Sequence, residues 1–365
     1  MSERHLERIR RAGAEAERRA VDAVVIAPSP DLAYLTGYDP IPFERPTLLV
    51  LRPGADPRLL VPALEEPLAA ASPVGDRLEL VVWRDGEDPY DAAARLLDGA
   101  ARIAVGDRLW SSHLLGLQRA LPDAAYSSAA RVLAPLRAVK DADELEAMRR
   151  AGRAADETFR RILDVPFQGR SEEAVAGDLA DLLVRNGHDR AEFTIVASGP
   201  NAASPHHEPG GRTILHRDAV VMDFGGELAG YFSDTTRTIV AAEPPEAFEE
   251  VYEVVRAAQA AAIDVVRPGT PAEEIDRAAR AVVDAAGFGE RFLHRTGHGI
   301  GREVHEPPYM VEGDGTVLEP GMTFSVEPGI YLEGRFGIRI EDIVAVTGDG
   351  VERLNRSTRD LQVVA

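Results

Sequence analysis

Short apolar runs alternate with charged, helix-forming stretches through the first third of the chain. A densely charged opening over about residues 3–20 predicts a helix, and it leads into the β-type run 22–26. Further apolar runs recur at 47–51, 78–82 and 102–105, with helix-forming sequence such as 91–97 between them. That alternation predicts a sheet with covering helices. The segment 122–140 marks a boundary, so residues 1–135 are expected to form one α/β domain and 136–365 a second.

The second region repeats itself. Gly169-Arg170-Ser171-Glu172-Glu173-Ala174-Val175 recurs a hundred residues later as Gly269-Thr270-Pro271-Ala272-Glu273-Glu274-Ile275. Each copy opens a helix: Ser171 and Thr270 are the expected N-caps, Pro271 suits the first helical position, and Glu273 would complete a capping box. Gly187 and Gly287 are the expected stops. A longer amphipathic helix precedes each copy, one with Leu145, Met148, Ala155, Phe159 and Ile162 on one face, the other over about 246–266. β-rich sequence follows each. The prediction is an α/β (α+β) fold whose second domain has two pseudo-equivalent helix-helix-strand halves.

Composition narrows the class. A chain of 365 residues with 45% apolar content suits two globular domains. The segment Met1-Ser2-Glu3-Arg4-His5-Leu6-Glu7-Arg8 lacks the apolar core of a secretory signal, and no run is long enough for a membrane span. A net charge of -20 argues against nucleic acid or an anionic membrane as partner. The absence of cysteine removes disulfide and thiolate chemistry and fits a cytoplasmic location.

Five residues in the last two-fifths carry the chemistry. Asp223 ends the apolar run 219–222, Asp234 follows eleven residues later, and His298 stands between Gly297 and Gly299. Glu327 ends the run 322–326, and Glu341 comes fourteen residues after it. Acidic residues that end or interrupt apolar β-type runs need a partner for a half-buried charge. Four converging carboxylates would repel by about 4 kcal/mol per close pair at an effective dielectric near 20. Two divalent metal ions would remove that conflict. One imidazole among four carboxylates is too oxygen-rich for structural zinc and unusual for calcium or magnesium, leaving manganese, cobalt, iron or zinc.

These residues resemble the pita-bread metallopeptidases, which include Xaa-Pro dipeptidase (prolidase), aminopeptidase P and methionine aminopeptidase. Leu136-Arg137-Ala138-Val139-Lys140, with Glu144, Met148 and Arg149, resembles the family's entry into its catalytic domain, and Ser198-Gly199-Pro200-Asn201 with Pro205-His206 its substrate-side histidine motif. The first 135 residues resemble the creatinase-like N-terminal domain of the proline-specific members. The resemblance implies two ions, with Asp234 and Glu341 bridging, Asp223 on one ion, and His298 and Glu327 on the other. A water shared by two such ions has its pKa lowered toward about 7. His206 and His305 match the family's non-ligand active-site histidines, and Glu327 is its candidate general base. His207 reads as a loop residue, whereas His294 has an even claim to a supporting place.

The resemblance implies a homodimeric peptidase that removes the N-terminal residue from a small peptide, foremost an Xaa-Pro dipeptide. Aminopeptidase P activity on longer peptides, a creatinase-like C–N hydrolase and an inactive binding protein are the alternatives. Some dipeptide-specific relatives place an arginine shortly after the second histidine to hold the free carboxylate; here Tyr309 stands in that place. Arg302 is an unexpected cation close by and is expected either to bind that carboxylate or to pair with Glu303. Arg339 is expected to orient Glu341 or to form a surface ion pair; with Arg302 and Tyr309 it completes the residues assigned to the substrate end.

Overall fold

In the computed structural model, which describes residues 2–364, the chain divides into two compact units between Arg137 and Ala138. The first contains a six-stranded mixed sheet in the order Glu79–Trp83, Arg58–Pro62, Leu48–Leu51, Ala23–Ile26, Arg102–Val105, Ala125–Ser128. Its central strands are apolar on both sides because helices cover both faces. Val24, Ile26, Leu49 and Leu59 face one cluster, and Ala23, Val25, Leu48 and Leu60 the other. The two histidines of this unit have structural partners: His5 Nδ1 lies 3.1 Å from the Tyr34 carbonyl, and His113 is stacked on Trp110.

The second unit contains the expected repeat. Helix Ala142–Ile162 starts on a capping box in which Asp141 and Glu144 each accept from the other's backbone N–H at 2.9 Å. It is followed by Glu172–Arg185, and a hundred residues on Phe248–Asp264 is followed by Ala272–Ala285. The short bridges before the two second helices also correspond, Ser171 with Thr213 and Pro271 with Val317. Gly187 and Gly287, at φ 121° and 81°, let the chain leave both helices in a conformation that a side chain would resist.

The caps differ from expectation in one half. Ser171 Oγ accepts from Ala174 N at 3.2 Å as a capping serine should. Thr270 does not cap: its hydroxyl donates back to the Val265 carbonyl at 3.2 Å, Pro271 occupies the cap position, and Glu273 accepts from Gly313 N instead of closing a box.

Each half packs its helices on its own sheet. Phe159, Val175, Leu179 and Leu183 meet Val220, Met222 and Phe224 in the first, and Phe248, Tyr252, Ile275 and Val283 share a cluster with Phe324, Val326 and Val344 in the second. The first sheet runs Val363–Val364, Thr235–Ala241, Ala219–Leu228, Arg190–Ser198. The second runs Glu306–Met310, Gly297–Gly299, Thr323–Val326, Asp342–Val346, Val351–Arg353. The hairpin Gly329–Leu332 with Phe336–Arg339 reaches between them, because Arg339 N donates to Thr238 Oγ1 at 3.0 Å and Glu341 N to the Thr236 carbonyl at 3.0 Å. No helix among the described residues is long and apolar enough to cross a membrane.

Candidate metal centre

Where these strands converge, they bring all five expected ligand residues to one cavity of about 440 Å³. Asp223 lies in strand Ala219–Leu228 opposite Thr236, and Asp234 immediately precedes the neighbouring strand. His298 is the central residue of Gly297–Gly299, and Glu327 follows strand Thr323–Val326 directly. The glycines flanking His298 have a steric origin: a Cβ at Gly297 would collide with the Ser325 carbonyl, and one at Gly299 with the carbonyls of Glu306 and Pro307.

One ligand atom each from Asp234, His298 and Glu341 lie within 4.8 Å of one another. His298 Nε2 is 3.3 Å from Glu327 Oε1 and 3.7 Å from Asp234 Oδ2. Oδ1 of Asp223, Oδ1 of Asp234 and Oε1 of Glu341 are buried without a hydrogen-bond partner. Three orphaned carboxylate oxygens in one place are rare in a folded protein unless a cation satisfies them, so the donor set fits divalent metal.

The electrostatics agree. Burial, followed by the neighbouring carboxylates, drives Asp234 and Glu341 well above the ordinary carboxylate range, and burial pushes Glu327 up to about 7. Burial, with the nearby His305 and Arg295, lowers His298 to about 3. A neutral imidazole is the ligand form. Its Nδ1 lies 3.1 Å from the Gly299 carbonyl, which places the proton there and turns Nε2 toward the acids.

Supporting hydroxyls and one arginine fix the carboxylates. Thr236 Oγ1 donates to Glu341 Oε2 at 2.6 Å, and Ser325 Oγ to Glu327 Oε1 at 3.1 Å. Arg339 donates from Nη2 to Asp223 Oδ2 at 2.6 Å, from Nη1 to Tyr331 OH at 2.9 Å and from Nε to Thr236 Oγ1 at 3.1 Å. Through these bonds Arg339 holds Asp223 directly and Glu341 through Thr236. Tyr331 in turn lies 2.8 Å from His294 Nε2. Burial lowers His294 to about 4, so it is neutral and accepts from the tyrosine.

His206 and His305 both line the cavity, the His305 ring 4.0 Å from that of His298. Phe193, Ile195, Pro205 and Val304 form an apolar wall. Arg302 and Tyr309 are not among the lining residues. Arg302 lies over the ring of Tyr231, 5.4 Å from its centroid. Tyr309 instead lies beneath the guanidinium of Arg295, which does line the cavity.

Sequence reasoning missed Arg295, Tyr331 and the anchoring of the His206 loop. His207, read as a plain loop residue, places Nε2 2.8 Å from the buried Glu172 carboxylate. The same carboxylate accepts from Ser198 N and Oγ, each at 2.7 Å, and from Asn201. The signal was a charged residue, Glu172, inside a helix start that the first sheet buries.

Residues 146–348 match the model for metallopeptidase family M24, and residues 8–139 that for the creatinase/prolidase N-terminal domain. A probable dipeptidase PepE of Mycobacterium tuberculosis is 43% identical over 100% of this chain and 97% of its own. An Xaa-Pro dipeptidase of Lactobacillus delbrueckii subsp. lactis is 36% identical over 95% of this chain and 96% of its own. The crystal structure of dipeptidase PepE from Mycobacterium ulcerans superposes with a TM-score of 0.96 at 42% identity, covering 100% of this chain and 98% of that one. With a pita-bread fold, a cation-ready cluster and this kinship, the chain belongs to metallopeptidase family M24 and carries a creatinase/prolidase N-terminal domain.

Proposed function

We propose that this peptidase removes the N-terminal residue of Xaa-Pro dipeptides with two divalent ions, manganese foremost, held by Asp223, Asp234, His298, Glu327 and Glu341. The observation that carries this reading is the set of three orphaned carboxylate oxygens beside an apolar wall and two non-ligand histidines. Relatives named Xaa-Pro dipeptidase support the prolyl preference. The oxygen-rich donor set favours manganese over softer ions.

Bound ions supply Lewis acidity and a water of lowered pKa. The protein supplies the rest. Arg339 and Thr236 keep the carboxylates oriented, so little reorganisation accompanies reaction. Glu327 takes a proton from the attacking water as general base and returns it to the prolyl nitrogen as the C–N bond breaks and the free amine leaves. His206 and His305 donate N–H groups to the oxygen on which negative charge develops, and Phe193, Ile195, Pro205 and Val304 pack the prolyl ring and exclude bulk water. A creatinase-like reaction without metal would leave the ligand set with no purpose.

We also infer a homodimer, from kinship with prolidases, and a cytoplasmic location, from the lack of cysteine; light scattering of the purified protein checks the first. The decisive assay is hydrolysis of a panel of Xaa-Pro dipeptides, Xaa-Pro tripeptides and non-prolyl dipeptides with manganese, cobalt or zinc added. Xaa-Pro dipeptides should be cleaved most efficiently. Equal or better cleavage of tripeptides would reassign the protein to aminopeptidase P activity.

A further inference from the structure

Helix Ala272–Ala285 carries a buried carboxylate that the proposed reaction does not use. Asp276 is 1% exposed, and neither it nor its partners Thr296 and Arg280 are among the residues lining the cavity. Its helix neighbours Ile275, Ala279 and Val283 belong to the same apolar cluster as Phe324 and Val326, so the core fixes where the carboxylate stands. A charge there costs stability unless it is paired and hydrogen-bonded. Oδ1 accepts from Thr296 N at 3.0 Å and from Thr296 Oγ1 at 2.7 Å, and Oδ2 accepts from Arg280 Nε at 2.6 Å. The Thr296 N–H is shared with the Met310 carbonyl, also at 3.0 Å.

These bonds hold the approach to the candidate metal centre. Arg280 donates from Nη1 to the Phe292 carbonyl at 3.2 Å and from Nη2 to the His294 carbonyl, and its guanidinium lies 4.3 Å from the centroid of the Phe292 ring. Residues 292, 294 and 296 are thus tied to one helix, and the strand that follows has His298 at its centre. The Thr296 carbonyl in turn accepts from Glu327 N at 2.8 Å. His298 N donates to Ser325 Oγ at 3.0 Å, and that hydroxyl donates to Glu327 Oε1 at 3.1 Å. Thr296 is therefore a junction: its N–H and hydroxyl meet the helix, its carbonyl holds the backbone of Glu327, and His298 stands two residues further on.

The first half of this unit has the same device. Glu172, from the second helix of that half, accepts from Ser198 N and Oγ at 2.7 Å each, at the start of the segment that carries His206. The two acids are not equivalent in the repeat, since Ala272 stands where Glu172 does and Ala176 where Asp276 does. The same bonds are made from different turns of the two helices, which argues for a task at each histidine segment rather than for a copied residue.

We propose that Asp276 is a positioning residue of the metal centre. Through Thr296 it fixes His298 and Glu327 relative to each other and so sets the affinity for the ion that those two residues hold, an inference that rests on the two-ion reading above. Asp223, Asp234 and Glu341 are held by other contacts, Glu341 by its N–H on the Thr236 carbonyl, so the second ion keeps its affinity.

The test is calorimetric titration of the metal-free protein with manganese, for the unaltered enzyme, Asp276→Asn, Thr296→Val and Thr296→Ser, with kinetics alongside. In Asp276→Asn and Thr296→Val one manganese equivalent should bind about ten- to a hundredfold more weakly while the other binds as before. At manganese levels that only just saturate the unaltered enzyme, their kcat on an Xaa-Pro dipeptide should fall with KM for the peptide unchanged, and excess manganese should raise kcat again. Thr296→Ser keeps the hydroxyl and should bind both equivalents as the unaltered enzyme does. Combining Asp276→Asn with Thr296→Val should weaken binding little beyond the larger single effect, because both cut the same bonds. Unchanged manganese affinity in both single variants, whatever their thermal midpoints, would overturn the proposal, as would Thr296→Ser binding as weakly as Thr296→Val. Should Asp276→Asn not fold, the two Thr296 variants decide. If the unaltered enzyme itself binds no manganese, cobalt or zinc, the metal reading fails and takes this proposal with it, an outcome that the unaltered enzyme alone reveals.

Discussion

Nη2 of Arg237 lies 2.7 Å from Oδ1 of Asp342, and both side chains are almost wholly buried, so the strand after Asp234 is tied to the strand after Glu341 by an ion pair. The same guanidinium donates to the carbonyls of Thr236 at 2.9 Å and Glu341 at 2.5 Å. The pair therefore sets the spacing of the two segments that bring Asp234 and Glu341 to the cavity without lining it.

Breaking that pair should be costly. Arg237→Leu leaves Asp342 buried with Gln259 and Arg353 as its remaining side-chain partners. Arg353 still compensates the Asp342 charge, but the carbonyls of Thr236 and Glu341 lose their buried donor, at a cost of about 1–3 kcal/mol. Urea unfolding of the metal-free protein should show a loss of that size. A change under about 1 kcal/mol would mean that the remaining partners suffice.

Removing metal should abolish activity, and restoring manganese, cobalt or zinc should return it. Asp234→Asn and Glu341→Gln should each lower both metal content and activity, because each removes a donor from the cluster that also includes His298. Elemental analysis alongside the peptide assay checks this. Full activity in a chelated preparation rules the metal reading out.

Stability of the metal-free protein should fall as pH rises from about 7.5 to 9. Below that window the depressed His294, His298 and His305 oppose the fall, because histidine in the unfolded chain is still partly protonated there; above about 7.5 it is neutral in both states and their effect is complete. Glu327, near 7, and Asp234 and Glu341, raised well above the ordinary range, keep protons that the unfolded chain has already released. The folded state then binds more protons. This contribution is full below the unfolded carboxylate value and is lost as pH climbs through the folded ones. The expected loss is about 1 kcal/mol or more. Saturating manganese should abolish the slope, since it binds the ionised carboxylates. Urea melts at three pH values with and without metal make the comparison; a flat metal-free profile would show acids already ionised.

His206→Ala should lower kcat by about a hundredfold or more while metal content stays near that of the unaltered enzyme, as for loss of one donor to a developing oxyanion. Loss of metal in this variant would instead make His206 a ligand.

The four acids and the histidine that line the cavity were legible because each acid ends or interrupts an apolar run, as Asp223 does after 219–222. The repeat was legible through its cap sequences and its stopping glycines. Two strands of the first unit were not: Arg58–Pro62 ends on a proline, and Ala125–Ser128 is an alanine- and serine-rich edge strand with little apolar signal. Thr270 failed as a cap because local sequence does not reveal which carbonyl a hydroxyl will find. Arg302 was singled out for its nearness to His305 along the chain; in the folded protein it lies over the Tyr231 ring and is not among the residues lining the cavity. Arg295 with Tyr309, Tyr331 with Arg339, and Glu172 with His207 are pairs whose members lie far apart in sequence, so only the folded chain brings them together.

The duplicated architecture has a mechanical consequence. Asp223 and Asp234 belong to the first half, and His298, Glu327 and Glu341 to the second, so neither half alone owns a complete cage. Ions bound across that seam would act as a rivet: metal that binds only the joined halves makes their parting rarer. Metal would then add to the stability that core packing alone gives the joined halves, and a metal-replete cell would keep this enzyme intact for longer.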